Sequence, residues 1–468
     1  MLSLRNFTIF FGLLVVFHNV AGADFDPLHH SGAASPYFDA PAAAGVPLEL
    51  PDGCVVDQAA WFVRHGSRYP EPGSFTGWEA LFSKFQNATY IARGPLSFIP
   101  SWNLPVDNEP HQPLFLSSTG AGEAFALGVE LRKRYGLTKG GDNITVWTAG
   151  QQRVVDTATY FARGYLSAGN YLDDPSSNRG TLVVLVDSAT NTTFADSLTP
   201  SSSCPAYGVF GGNGSTTSDA FRATFRPAIA DRLNKFLDGL VLDANDIGVM
   251  QDLCGFGFEV SGEHRFCDAF TENEWLDYEY AHDLNYYYGS GPGNPLSATV
   301  GHPWVKAISD IFAVGPGNAI QNGTLIPPPL IMGFTHDNNV PPLISALGLW
   351  NSSKSFPLPI TKLESNRQFR SSNLVSFLGN VALERMTCDQ VFVRVLANNA
   401  VIPIPECQSG PGASCPLEMF TEYVNGERKR ASGDFVERCG LEGVEGAVSN
   451  VMFLTTVGDG DSVLVGLD

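Results

Sequence analysis

A chain of 468 residues, 44% of them hydrophobic, is long enough for a large core and for more than one domain. With 28 basic against 48 acidic residues its formal net charge is −20, which disfavours nucleic acid and anionic membrane surfaces as partners because both would repel it. An anionic ligand then needs a locally positive pocket, or a pH low enough to neutralise carboxylates.

Residues 1–23 read as a secretory signal, with Arg5 as the positive start, an apolar centre over 7–17 and the small residues Ala21, Gly22 and Ala23 at the cleavage point. The apolar run is too short for a membrane anchor, no later stretch reads as a span, and the C-terminus has no hydrophobic anchor tail. Residues 24–50, rich in Ala, Pro and Gly, are expected to lie extended over the surface, with His29 and His30 solvated. Next comes Ala59-Ala60-Trp61-Phe62-Val63, a short apolar run suited to a buried strand. It opens into Arg64-His65-Gly66-Ser67-Arg68-Tyr69-Pro70. A buried strand that ends in such a cluster delivers charge to the carboxyl edge of a sheet, where α/β proteins bind ligands. Two guanidinium groups around an imidazole form an anion site matched to phosphate oxygens, and the ring is either one more donor or a nucleophile.

Residues 78–85 are helical in pattern, and 94–113 are broken by five prolines and read as irregular. A helix is expected over 121–135, capped by Gly136. A strand over 143–149 runs into a helix over 151–166, with Arg153 at the junction, where free amides and the helix dipole attract anions. A strand over 182–186 is followed by a polar loop at 188–218. Residues 219–289 are helical in pattern and are assigned to a cap. Within 251–300 stand nine Asp or Glu and one basic residue, Arg265. If part of that acidic stretch lines a pocket it repels phosphate until protonated, and Glu272 and Glu274 are the residues named for this role. A central strand over 330–334 ends in Thr335-His336-Asp337-Asn338. A hairpin around Asn398-Asn399 and a short helix over 417–425 complete the chain.

The eight cysteines, an even number with no Cys-x-x-Cys pair, fit disulfides better than zinc, and spacing alone leaves their connectivity open. Asn87, Asn143, Asn191, Asn213, Asn322 and Asn351 carry the glycosylation pattern, which agrees with secretion. His-Glu-x-x-His is absent, and His111, His264, His282 and His302 show no ligand spacing, so no metal and no cofactor are expected. Gly-x-Ser-x-Gly is absent too, which disfavours a serine hydrolase.

The septet resembles the Arg-His-Gly-x-Arg-x-Pro signature of the histidine acid phosphatases, a branch of the histidine phosphatase superfamily. The likeness extends over nearly the whole mature chain and is strongest to secreted fungal phytases and acid phosphatases. It implies a mostly parallel α/β sheet flanked by helices, with a smaller helical cap and the site between them. The body is expected over 24–80, 115–187 and 300–468, and the cap over 81–114 and 188–299. It implies the pairs Cys54–Cys388, Cys204–Cys439, Cys254–Cys267 and Cys407–Cys415. It also implies His65 as a nucleophile that forms a phosphohistidine. Arg64, Arg68, Arg153 and His336 hold the phosphoryl oxygens, and Asp337 is the general acid. Many relatives have Thr where Glu71 stands, and phytate-preferring ones carry a lysine pair where this chain has Asn285 and Tyr286. Fewer cations mean a weaker grip on distal phosphates. The expected activity is a broad, acid-pH phosphatase on small phosphate esters that accepts phytate at low pH, located outside the cell, with self-association into a homo-oligomer left open. A phosphotransferase of the mutase kind, or a glycoprotein that only binds phosphate, are the competing classes.

Overall fold

The computed structural model describes residues 25–136, 143–167, 179–185, 193–210, 212–350, 357–456 and 462–467. The signal at 1–23, Asn191, Asn351 and the last residue of the 182–186 strand lie outside them. In chain order the strands are β1 (Val55–Arg64), β2 (Ile91–Ala92), β3 (Ile144–Ala149), β4 (Gly180–Leu185), β5 (Leu237–Asp238), β6 (Leu330–Thr335), β7 (Asn380–Thr387), β8 (Val391–Ala397), β9 (Ala400–Val401), β10 (Cys415–Pro416) and β11 (Ser462–Leu467). The main sheet runs β10-β8-β7-β1-β6-β3-β4-β11, with β9 on β8. Its centre, β1-β6-β3-β4, is parallel, and antiparallel strands extend it on both sides. Parallel strands covered on both faces need near-continuous apolar runs. Residues 59–63 of β1 and 330–334 of β6 supply them, none more than 2% exposed where apolar.

The helices are α1 (Pro72–Asn87), α2 (Ser118–Tyr135), α3 (Gln152–Leu166), α4 (Pro205–Phe210), α5 (Gly214–Leu233), α6 (Ala244–Ser261), α7 (Glu272–Gly289), α8 (Ser297–Val314) and α9 (Pro341–Ala346), followed by a helical run over 417–432 and by shorter turns. The helices α2 and α3 pack on each other so closely that a Cβ on Gly128 or Gly164 would collide with the other helix's backbone at 2.1 or 2.0 Å. The cap is built on α5, α6 and α7. Cys254–Cys267 closes its α6–α7 turn, and capping boxes start α6 at Asp243 and α7 at Thr271. Cys54–Cys388 ties the outer ends of the neighbouring strands β1 and β7, Cys204–Cys439 joins the polar loop to the C-terminal region, and Cys407–Cys415 closes a short loop. Asn87, Asn143, Asn213 and Asn322 are exposed. No helix of the described residues is long and apolar enough to cross a membrane.

Four expectations need correction. The domain boundary at 80/81 falls inside α1, whose buried Phe75, Trp78, Leu81 and Phe85 form one continuous face, and that at 299/300 falls inside α8. The α2 helix begins three residues early, at Ser118, because the Ser117 hydroxyl accepts from the Gly120 amide and caps it. Residues 24–50 do not simply trail over the surface. Residues 27–34 form two short turns in which Gly32 and Ala34 are buried, and Ala33 reaches the site. His30 is not solvated: it stacks on Phe25 at 4.5 Å and lies 3.3 Å from the buried Glu279.

Candidate active site

Parallel pairing aligns Arg64 with Thr335, and the His65 amide donates to the Thr335 carbonyl at 2.9 Å. His65 and His336 therefore leave the sheet side by side, their rings 5.7 Å apart and edge to face. From the neighbouring β3 the chain turns into α3, whose second residue, Arg153, brings Nη2 within 3.4 Å of His336 Nδ1. These residues come from strands that share one carboxyl edge, the location at which open α/β sheets bind ligands.

The septet is pinned beneath them. The Gly66 amide donates to Thr157 Oγ1 at 3.1 Å, and Ser67 O accepts from both the amide and the hydroxyl of Ser117. A Cβ on Gly120 would sit 2.2 Å from Ser67 O, so glycine is what allows α2 to touch this loop backbone to backbone. Arg64 donates through Nη1 to the carbonyls of Ala33 and Val375, presents Nη2 to Asp337 Oδ2 at 3.2 Å and lies over the Phe377 ring. Arg68 pairs with Glu71 at 3.0 Å. Tyr286 donates its hydroxyl to Asp337 Oδ2 at 2.9 Å.

His65 Nδ1 lies 2.9 Å from the Gly66 carbonyl, which can only accept, so Nδ1 carries the hydrogen and Nε2 keeps its lone pair. Burial, reinforced by Arg64, Arg68 and Arg153, holds this imidazole well below its usual pKa, hence neutral. Burial and Arg153 likewise push His336 down to about 4. Burial and Arg68 lower Arg153 to about 10, still cationic at acid and neutral pH. Burial alone would raise Asp337, but Arg64, Arg68 and the Tyr286 hydroxyl outweigh it and keep the carboxyl below the ordinary range. Burial, followed by the charge of Asp337, raises Tyr286 well above the usual phenol value, so it stays a donor.

A cavity of about 560 Å³ opens over this cluster, lined by Arg64, Arg68, Arg153, His336 and Asp337 from the body and by Asp252, His282, Asn285 and Tyr286 from the cap. His65, 1% exposed, lies just behind that lining. Two residues named for the pocket are not in it. Glu274 binds Arg232 through both carboxylate oxygens and completes the cap of α7, and Glu272, in that helix's first turn, faces a separate cavity of about 1100 Å³ lined by His30, Trp350 and Arg367. The first turn of α7 lies away from this pocket, while its last turns carry His282, Asn285 and Tyr286 to the site. The acidic residue the cap does contribute is Asp252 on α6, and nothing local in the sequence separates it from its acidic neighbours. Ala33, Phe256 and Ser202 also line the pocket, and only tertiary packing brings them there.

A parallel-centred sheet with a cationic, imidazole-bearing carboxyl edge under a helical cap defines an α/β protein that binds phosphate-like anions in the interdomain crevice. The model of the histidine phosphatase superfamily (branch 2) matches residues 55–398, and the chain belongs to that family. It is 31% identical to an acid phosphatase of Komagataella pastoris over 89% of this chain and 87% of that one. It is 29% identical to a phytase of Candida albicans over the same shares. The crystal structure of a phytase from D. castellii superposes with a TM-score of 0.81 at 26% identity, covering 93% of both chains.

Proposed function

We propose that this chain is an acid phosphatase that hydrolyses phosphomonoesters through a phosphohistidine. His65 Nε2 attacks phosphorus in line with the ester oxygen. A P–N bond forms, the P–O ester bond breaks, and Asp337 gives its proton to the departing alkoxide. Water then attacks the phosphohistidine, the Asp337 carboxylate takes a proton from it, and the P–N bond breaks to release inorganic phosphate. Arg64, Arg68, Arg153 and His336 hold the three non-bridging oxygens, whose charge is the principal quantity to stabilise in phosphoryl transfer. The observation that carries this reading is the tautomer: the Gly66 carbonyl fixes hydrogen on Nδ1 and leaves Nε2 free among three guanidinium groups.

Arg64, Arg68 and the Tyr286 hydroxyl favour the ionised form of Asp337, and a general acid must hold a proton. A bound phosphoryl group offsets the positive charge that depresses the carboxyl, and at acid pH the monoester is a monoanion that brings a proton with it. Both effects favour turnover at acid pH.

The pocket supports a broad substrate range. Its arginines all sit at the phosphoryl end, and among the described residues that line it there is no lysine. The cap end offers Asn285, Tyr286, His282 and Asp252, which grip a second phosphate weakly because the Asp252 carboxylate, with Glu71 of the body, repels it. Phytate is thus a substrate at low pH, alongside simple esters. Four disulfides fit an oxidising, extracellular location. An aryl-phosphate assay across acid pH, with wild type beside His65→Ala and Asp337→Asn, tests the proposal. Turnover is expected to vanish in the first variant and fall in the second. Assaying released against transferred phosphate separates hydrolysis from mutase-type transfer, and undiminished turnover in His65→Ala refutes the mechanism.

A further inference from the structure

One buried hydroxyl in the septet is shared by two carboxyl groups that the mechanism does not use. Ser67 Oγ lies 2.8 Å from Glu123 Oε2 on α2 and also makes a short contact with Glu259 Oε2 on α6. Ser67 and Glu259 are fully buried, and Glu259 Oε1 has no hydrogen-bond partner. A serine hydroxyl has one hydrogen and can donate to only one carboxylate, so the other carboxyl must itself donate, to the serine oxygen. The arrangement is complete only when one proton is held by the pair. It joins a helix of the body to a helix of the cap through the residue between Gly66 and Arg68. We infer that Glu123 and Glu259 are positioning residues that hold the septet in register through Ser67, and that they do so only while one of them is protonated.

The inference rests on the reading of the septet as the reacting loop, and the surroundings agree with it. Burial, then the charge of Glu259, raises Glu123 to about 7, and burial raises Glu259, with the Ser67 bonds opposing both to a smaller degree. The charged groups on the elements packed around the pair include Arg68 on the loop, Lys84 on α1, Arg132 on α2, Arg153 on α3 and Asp252 on α6; the charge that acts on Glu123 is that of Glu259. A carboxyl whose folded pKa is raised stabilises the fold in its acid form. That contribution is complete below the ordinary glutamate value and is lost as pH rises through about 7. Above that range two anions face each other across Ser67, and the cap and body are pushed apart at the loop.

The test uses the full-length protein with Glu123→Gln and Glu259→Gln, in which an amide of the same shape donates at every pH, and with Ser67→Ala, which removes the link. Melting temperature and kcat on an aryl phosphate are followed from about pH 4 to about pH 8. In wild type both are expected to fall through neutrality. In Glu123→Gln the ratio of kcat at about pH 7 to that at about pH 4 is expected to rise severalfold, with the melting temperature flattened over the same interval. Ser67→Ala is expected to lower kcat throughout and to make it insensitive to Glu123→Gln. Wild-type pH dependence retained in both glutamine variants overturns the inference. If neither variant folds, an infrared difference spectrum of wild type decides: a protonated carboxyl band that titrates near neutrality supports the shared proton, and its absence refutes it. The melting profile needs no turnover, so failure here is separable from failure of His65 as nucleophile.

Discussion

Replacing Tyr286 by Phe removes one hydroxyl and leaves the ring. That hydroxyl donates to Asp337 Oδ2 at 2.9 Å, and the same oxygen faces Arg64 Nη2 at 3.2 Å. A hydrogen bond to a charged acceptor contributes about 1.5 to 3 kcal/mol, so loss of the bond moves the Asp337 carboxyl upward toward its ordinary range. The sign follows from the donor role: the hydroxyl stabilises the carboxylate, so its removal favours the acid. A general acid must be protonated in the substrate complex, so the alkaline limb of the kcat profile is expected to move to higher pH. The measurement is kcat against pH on an alkyl phosphate, whose leaving group needs the proton. A limb that stays in place or moves to lower pH in Tyr286→Phe, while Asp337→Asn is strongly impaired on the same substrate, refutes the claim that the hydroxyl tunes this acid.

The remaining predictions follow from other contacts. Glu71→Thr frees Arg68 from a pair whose carboxylate side chain is 56% exposed. Since exposed pairs contribute about 0 to 1 kcal/mol, KM for simple esters is expected to fall by up to about fivefold. Asp337→Asn is expected to lower kcat about 10²- to 10⁴-fold on alkyl phosphates and far less on nitrophenyl phosphate, whose anion leaves without a proton. Equal losses on both would remove Asp337 from the acid role. Cys54→Ala with Cys388→Ala opens a link between residues 334 apart in sequence. A loss of about 2 to 5 kcal/mol is expected in denaturant unfolding, with the activity of the folded fraction retained.

The three stretches that build the phosphoryl end were legible for one physical reason. Each is a strand buried in the parallel centre of the sheet and followed within four residues by charged or imidazole side chains, so the sequence changes character where the chain leaves the core. Neighbouring β7 gave no such signal. It buries Glu384, which is answered by Arg394 from β8 and by Arg134 and Tyr135 from the end of α2, so its apolar pattern is interrupted by residues whose partners are far away in sequence. The α8 helix was hidden similarly, by Pro303 and by Gly301, where a Cβ would meet the Pro342 carbonyl at 2.1 Å. In the cap, charge composition pointed to the first turn of α7, whereas the carboxyl that lines the pocket is Asp252 on α6 and α7 contributes its last turns. Which turn of a helix meets the site depends on tertiary packing, and helical periodicity does not carry that information. Ser67's carboxyl partners lie 56 and 192 residues away, and no local pattern marks them.

The central claim is that the imidazole of residue 65 carries the phosphoryl group. Its most direct measurement is a quench into alkali during steady-state turnover, followed by mass spectrometry of the peptide that contains 64–70. A phosphoramidate survives base and is destroyed by acid, so the expected result is a phosphorylated peptide with the modification on His65, lost on acid treatment and absent from His65→Ala. An unmodified septet under conditions of full turnover, or a label on any other residue, would contradict it.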